Sequence, residues 1–362
     1  MGEDLSRYHR QTLLPGIGEA GQLRLLQSTA VILGCGALGS LAADLLARAG
    51  VGHLKIIDRD FVELTNLQRQ LLFDESDVEQ AMPKAEAARR RLARVNSGVA
   101  VTAIVDDLNH TNIARHAAGA DVLVDGLDNF EARYLANDYA VEQGIPYVYG
   151  GAVGTVGAAF AILPHTSGGD TPWEREGLAS PCLRCLFEEA PPPGSMPTCD
   201  TAGVLSSTVT TIASFEVAEA MKILTGNYAH VSRTMLNIDL WNNSISPLKV
   251  ERAYENGDCP CCKKGRFEYL NGALGSGATT LCGRTAVQLT HRQSGEDLDF
   301  EEIATRLSSH GTVISSPYML KADITDSGKP YSLSLFPDGR AIVHGTAEAS
   351  VARSVYAKFV GN

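Results

Sequence analysis

The apolar positions of this chain are densest between Thr29 and Asp60, and they alternate between two kinds of segment. Ala30–Leu33 is a short continuous apolar run of the kind that forms a buried strand. A glycine-rich turn follows (Gly34-Cys35-Gly36-Ala37-Leu38-Gly39), then a helix to about Ala49 and a second apolar strand, Leu54–Ile57, that ends in Asp58. Gly34 allows a tight turn, Gly36 lets backbone approach a phosphate, and Gly39 lets helix and strand pack closely. The helix begins at that turn, so its unpaired N–H groups and positive dipole end suit an anion. Asp58 lies about twenty residues on, where a carboxylate can accept both ribose hydroxyls. The order strand, turn, helix, strand, acid predicts a bound nucleotide.

Elsewhere the same alternation continues. A helix is expected from roughly Pro83 to Val95, strands at Val99–Val105 and Val122–Val124, and a helix from Phe130 to Glu142. Strands at Ile145–Tyr149 and Val156–Leu163 follow, joined through GGAVGTVG. Alternation on this scale predicts an α/β fold, a doubly wound, Rossmann-like and mostly parallel sheet. Regularity stops between Pro164 and Gly203 and resumes with a helix near Leu205–Leu224 and a hairpin, Thr234–Trp241 with Ser244–Val250. From about Tyr269 a Gly- and Ser-rich stretch leads to a helix near Phe300–Leu307, three strands (Met319–Ile324, Tyr331–Phe336, Ala341–His344) and a closing helix from Ala347 to Phe359. The expected division is therefore 1–268 for the nucleotide unit and 269–362 for a small C-terminal α+β domain.

Several polar residues gather around this frame. Asn66, Arg69 and Gln70 follow closely behind Asp58 and Asp60 and can reach the same nucleotide. Lys84 falls in the first turn of its helix, where a cation opposes the helix dipole, so an outside anion is its expected partner. Asp125 and Asp128 sit at the carboxyl edge of a strand, where open parallel sheets bind ligands. Asp128 also fits a helix N-cap. The cluster Arg7-Tyr8-His9-Arg10 reads, on its residues alone, as a solvated arm.

Composition narrows the classes. The net charge of −11 argues against nucleic acid or an anionic membrane as partner. No apolar run is long enough to span a bilayer and the first residues lack the apolar core of a signal peptide, so the expected location is cytoplasmic. The eight cysteines then point to metal or sulfur chemistry and not to a disulfide framework. Cys182-x-x-Cys185 and Cys259-x-x-Cys262 can supply four thiolates to one tetrahedral Zn²⁺ that tethers a loop to the end of the first unit. Cys261 blurs the register and could replace a neighbour. A redox role is disfavoured, because neither pair opens a helix in the sequence reading. Cys199 stands alone before a helix, either as an activated thiolate or as an inert thiol.

Together these segments resemble the ThiF/MoeB/HesA family, bacterial relatives of the ubiquitin-activating enzymes. The residues that carry the resemblance are Arg7–Gln11, Gly34–Gly39, Ile57–Asp60, Leu64–Gln70, Pro83–Glu86, Asp125–Arg133, the two cysteine pairs and Thr198–Val204, all in order between about Ser6 and Cys262. The resemblance implies adenylation of the C-terminal glycine of a ubiquitin-like sulfur carrier (ThiS- or MoaD-like) by MgATP. On matching positions, Asp58 would hold the ribose, Arg69 and Lys84 with Asn66 would neutralise the phosphates, and Asp128 would hold Mg²⁺. Arg10 would reach the triphosphate from the other subunit of a homodimer, and Cys199 would bond to the carrier or take part in sulfur transfer. Cys282 opens no rhodanese-like loop, so the resemblance implies a separate sulfur donor protein. Three rivals are an NAD-dependent oxidoreductase, which the glycine turn and Asp58 fit equally well, an enzyme activating a carboxylate on a tRNA base or peptide, and a catalytically dead binding scaffold, which the full set of nucleotide residues disfavours.

Overall fold

The computed structural model describes residues 5–166, 168–189, 202–274, 286–290, 299–326, 328–337 and 340–360. Cys199 and Cys282 lie outside them.

The first sheet has eight strands: β1 (Thr29–Leu33), β2 (His53–Ile57), β3 (Ala100–Ile104), β4 (Val122–Asp125), β5 (Tyr147–Val153), β6 (Val156–Ile162), β7 (Thr234–Asp239) and β8 (Ser244–Lys249). Their order is β3-β2-β1-β4-β5-β6-β7-β8, parallel from β3 to β5 and antiparallel from β5 onward. The order reverses between β1 and β4, which opens a crevice at their carboxyl ends. β1 shows why the sheet is doubly covered. Ala30 and Ile32 face one core and Val31 and Leu33 the other, as a period of two requires. The helices Ala37–Ala49, Lys84–Val95 and Ser206–Leu224 pack on the first face and Phe130–Gln143 on the second. The helix after β1 ends where Gly50 takes a left-handed conformation (φ 82°) that accommodates the chain reversal.

A second, antiparallel sheet comprises β9 (Ala286–Thr290), β10 (Gly311–Ser315), β11 (Leu320–Asp326), β12 (Lys329–Leu335) and β13 (Arg340–His344), in the order β10-β11-β12-β13-β9. The helices Phe300–Leu307 and Ala349–Phe359 cover one face around Leu320, Leu333, Leu335 and Val343. Strands β11 to β13 fall on the three expected from the sequence, and β9 and β10 are additional to them. Tyr269 and Leu270 pack against the core that includes Tyr134 and Tyr147, and the Tyr269 N–H donates to Asp138 Oδ2 (3.0 Å).

The N-terminal residues are not a solvated arm. Tyr8 is buried, with its hydroxyl accepting from Asn96 Nδ2 (2.9 Å), and Gln11 Nε2 donates to Gln22 Oε1 (2.6 Å) and to the Ala49 carbonyl (2.9 Å). Arg10 itself is exposed. No helix among the described residues is long and apolar enough to cross a membrane.

Candidate active site and cysteine cluster

The glycine turn lies at the crevice between β1 and β4, and its three glycines answer to different constraints. Gly34 has φ of 87°, and a Cβ there would lie 2.4 Å from the Gly126 carbonyl oxygen. At Gly39 a Cβ would lie 1.9 Å from the Gly34 oxygen. Gly34 is demanded by packing of the loop after β1 on the loop after β4, and Gly39 by the close approach of its helix to the turn itself. Gly36 is different: a Cβ there would meet only the Gly126 oxygen, at 3.7 Å. Gly36 is also the N-cap of the helix Ala37–Ala49 and supplies no side chain to its free N–H groups. The protein leaves open space over an uncapped helix N-terminus, the arrangement that receives phosphate oxygens.

Asp58 closes one side of this turn. Its Oδ2 accepts from the Cys35 N–H (2.6 Å) and its Oδ1 from the Asp60 N–H (2.7 Å). Burial pushes its pKa up to about 6, against the opposing pull of Lys84 and with Asp60 adding to the rise. Asp60 in turn accepts from Lys84 Nζ (3.0 Å). The lysine is 4 % exposed and has an internal carboxylate beside the phosphate turn, a partner additional to the outside anion that its place in the helix suggests. This arrangement gives a buried amine a hydrogen-bonded carboxylate partner before any ligand arrives.

Asn66 is buried and its Oδ1 accepts from the Glu63 N–H (3.2 Å), which fixes the one-turn helix Leu64–Asn66. Gln70 is buried as well, and its Oε1 has no hydrogen-bond partner. Arg69 is half-buried, donates from Nη1 to the Thr65 carbonyl (2.9 Å) and forms no ion pair among the described residues. Asp128 is exposed, and its Oδ1 accepts from Asn129 Nδ2 (2.9 Å). The N-cap role belongs to Asn129, whose Oδ1 accepts from the Ala132 N–H (2.8 Å), so Asp128 is spared that duty.

Sequence reasoning missed what holds the loop that leads to Asp128. Asp125 is fully buried, and it accepts from Tyr147 Oη (2.6 Å), Arg133 Nε (3.0 Å) and the Leu127 N–H (2.8 Å). Arg133 Nη2 also donates to the carbonyls of Leu127 (2.7 Å) and Gly150 (3.1 Å). With this set of partners Asp125 is an anchor for the loop and not a second ligand-facing acid. Burial raises its pKa, and the Arg133 charge opposes that rise.

On the second face, Cys182, Cys185, Cys259 and Cys262 bring their sulfurs within 4.8 Å of one another. The sulfurs of Cys182 and Cys259 are 3.6 Å apart, those of Cys185 and Cys262 3.3 Å, and those of Cys182 and Cys185 3.9 Å. A disulfide requires about 2 Å. Four thiolates around zinc, with bonds of about 2.3 Å, lie about 3.8 Å apart, and the quartet fits that ion. Cys182 caps the one-turn helix Leu183–Leu186, contrary to expectation, yet its sulfur meets both pairs, which is a metal geometry and not that of a redox pair. Cys261 is excluded from the quartet. It is fully buried and accepts a hydrogen bond from Asn137 Nδ2 (3.4 Å).

A doubly wound sheet with a glycine turn, an acid and a buried lysine at its switch point defines the class of Rossmann-like nucleotide-binding proteins. Comparison with known proteins narrows the class. The ThiF family model matches residues 8–261, and the chain belongs to the ThiF family. It is 41% identical to the sulfur carrier protein ThiS adenylyltransferase of Bacillus subtilis over 356 residues, 98% of this chain and 99% of that protein. It is 37% identical to the SAMP-activating enzyme E1 of Haloferax volcanii over 266 residues, 74% of this chain and 92% of that one. Among solved structures, E. coli MccB with ATP aligns with a TM-score of 0.58 at 24% identity, over 71% of this chain and 74% of that one, a likeness of fold.

Proposed function

We propose that this protein is an ATP-dependent adenylyltransferase that activates the C-terminal glycine of a ubiquitin-like sulfur carrier, acting as a homodimer in the cytoplasm. The observation that carries this reading is the union of Asp58, Asp60 and Lys84 beside an open, uncapped helix N-terminus. A hydride-transfer site has no use for a buried lysine held next to the phosphate turn, which disfavours the oxidoreductase. A ThiS-like carrier is favoured because the 41% identity runs through the C-terminal residues, whereas the match to the archaeal enzyme spans 266 residues.

In this mechanism the carrier's terminal carboxylate attacks the α-phosphorus of ATP. A P–O bond forms, the bond to the bridging oxygen breaks, and pyrophosphate departs with its electron pair, leaving carrier-AMP. The nucleophile is already ionised at neutral pH, so no general base is needed, and rate comes from positioning and charge stabilisation. Gly34, Gly36 and Gly39 shape the phosphate turn, Asp58 accepts from the ribose hydroxyls, and Asp60 keeps Lys84 aimed. Lys84 and Arg69, with Asn66 and Gln70 alongside, offset charge on the departing pyrophosphate. Asp128, an exposed oxygen donor, would hold Mg²⁺, which supplies further neutralisation of the phosphate chain. Arg10 would act across the dimer. The cysteine quartet would hold a structural Zn²⁺, since four thiolates leave no open position. Cys199 would serve the transfer of sulfur, which a separate donor protein provides. We assign the chemistry to residues 1–268 and a supporting role to 269–362.

The test is exchange of labelled pyrophosphate into ATP by the purified protein, with and without a ThiS-like carrier. Exchange that requires the carrier and a carrier-AMP adduct in its mass spectrum are the expected results. Exchange without any carrier, or oxidation of NADH, would refute the assignment.

A further inference from the structure

None of the residues assigned to that chemistry lies in the second sheet, yet the sheet grips the loop that carries Asp58 and Asp60. In the extended stretch Asp58-Arg59-Asp60-Phe61, alternate residues serve opposite sides. Asp58 and Asp60 engage the glycine turn and Lys84. Arg59 and Phe61 engage the second sheet. Arg59 Nη1 donates to Asp107 Oδ1 (2.7 Å) and to Gln288 Oε1 of β9 (3.2 Å), while Gln288 Nε2 donates to Asp107 Oδ2 (2.8 Å). These bonds close a three-residue circuit in which an amide is the fitting third member, because it accepts from the guanidinium and donates to the carboxylate at once. Gln288 is 7 % exposed, so its amide is shielded from water, while Arg59 and Asp107 are half-buried.

A second contact acts one residue further along. The rings of Phe61 and Phe336 lie 5.6 Å apart, inside a small apolar cluster with Ala286 and Ile342. Phe61 also bridges Pro83 through the backbone, and the Lys84 N–H donates to the Asp60 carbonyl (2.9 Å). A displacement of Phe61 is thereby felt at Asp60 and Lys84 together. Arg340 Nη2 donates to the Val105 carbonyl (3.3 Å), so the same sheet also fixes the end of β3.

We propose that the C-terminal sheet is a buttress for nucleotide binding, with Gln288 and Phe336 as positioning residues that hold Arg59 and Phe61 and so aim Asp58 at the ribose. The inference rests on the nucleotide reading above and deepens it.

The experiment is calorimetric titration of ATP and 2′-deoxy-ATP into the full-length protein and into Gln288→Leu. The two ligands share every phosphate contact and differ in one hydroxyl. The result expected of the unaltered protein is a preference for ATP. In Gln288→Leu, ATP binds about five- to tenfold more weakly, the scale of a small misplacement of a positioning group, while 2′-deoxy-ATP, which keeps the 3′-hydroxyl and the phosphates but has no 2′-hydroxyl contact to lose, weakens by only about two- to threefold. The preference between them therefore narrows, which a general loss of structure would not do, since that weakens both ligands alike. Phe336→Leu perturbs the loop through its other contact and replaces Gln288→Leu if that variant does not fold. An unchanged preference in a folded variant, or equal weakening of both ligands, overturns the buttress and leaves the nucleotide site standing. An unaltered protein that binds both ligands equally, or neither, overturns the role of Asp58 and the buttress with it.

Discussion

Tyr147→Phe removes one oxygen from a site where every other atom can stay in place. The ring is fully buried, and its hydroxyl donates at 2.6 Å to a carboxylate that is itself fully buried. Phe fills the same volume apart from that oxygen, so the cavity term is small. What is lost is a hydrogen bond to a charged acceptor, worth about 1.5–3 kcal/mol. Asp125 keeps Arg133 Nε at 3.0 Å and the Leu127 N–H at 2.8 Å, which argues for the lower half of that range. Removing Arg133 instead, by Arg133→Met, strands the buried carboxylate and the Leu127 and Gly150 carbonyls, and about 3–5 kcal/mol is expected. Urea unfolding followed by tryptophan fluorescence measures both, because Trp173 lies in a core of the first sheet while the other tryptophan, Trp241, is exposed. The double variant should cost less than the sum of the singles, as members of one network do. A loss below about 0.5 kcal/mol for Tyr147→Phe, within the range of an ordinary surface change, would refute the anchor role of Asp125.

Three further outcomes are expected. Gly36→Ala should fold normally, since its methyl group meets nothing nearer than 3.7 Å, but lose ATP affinity; Gly39→Ala, facing an oxygen at 1.9 Å, should melt well below the parent in a thermal scan. Because the pKa of Asp58 is raised to about 6, the carboxylate that accepts ribose hydroxyls is lost as pH falls through 6, and the ATP over 2′-deoxy-ATP preference should fall with it; a flat profile between pH 5 and pH 8 would count against that role. By the same sign rule the raised folded pKa stabilises the protein below the unfolded value of about 3.9, and that contribution fades as pH rises to about 6. Cys185→Ser should lower the zinc bound per chain, measured by atomic emission, whereas Cys261→Ser should leave it unchanged because that sulfur lies outside the quartet.

The first sheet was legible because its information is local. The run Ala30–Leu33, the glycine turn and the end of the following helix near Ala49 each follow from neighbouring residues. Strand β10 was not, because Gly311–Ser315 is exposed along almost its whole length and shows no alternation. The choice between Asp128 and Asn129 as helix cap was also closed to sequence, since both residue types cap well and only backbone geometry separates them. Long-range polar partners were the least accessible. Nothing near Asp125 announces Tyr147, and nothing near Arg59 announces Gln288, 229 positions away. Glu216 is the extreme case: it reads as one acid on an amphipathic helix, yet it is fully buried with neither carboxylate oxygen paired. Burial drives its pKa well above the carboxylate range, with Asp125 adding to the rise and Arg133 opposing it.

Cys182 and Cys259 are 77 positions apart, and Cys185 and Cys262 are separated by the same interval. An ion held by the quartet would therefore lock a closed hoop of chain that includes the helix Ser206–Leu224 and strands β7 and β8. By the chain-entropy argument used for disulfides, closing a hoop of this size restricts the unfolded chain by about 4.5 kcal/mol. Strand β8 is exposed at every residue and cannot hold itself down by burial. Withdrawing the ion should loosen this outer edge of the sheet first, so that chelation makes β7 and β8 open to proteases while the glycine turn, on the far side of β4, stays protected.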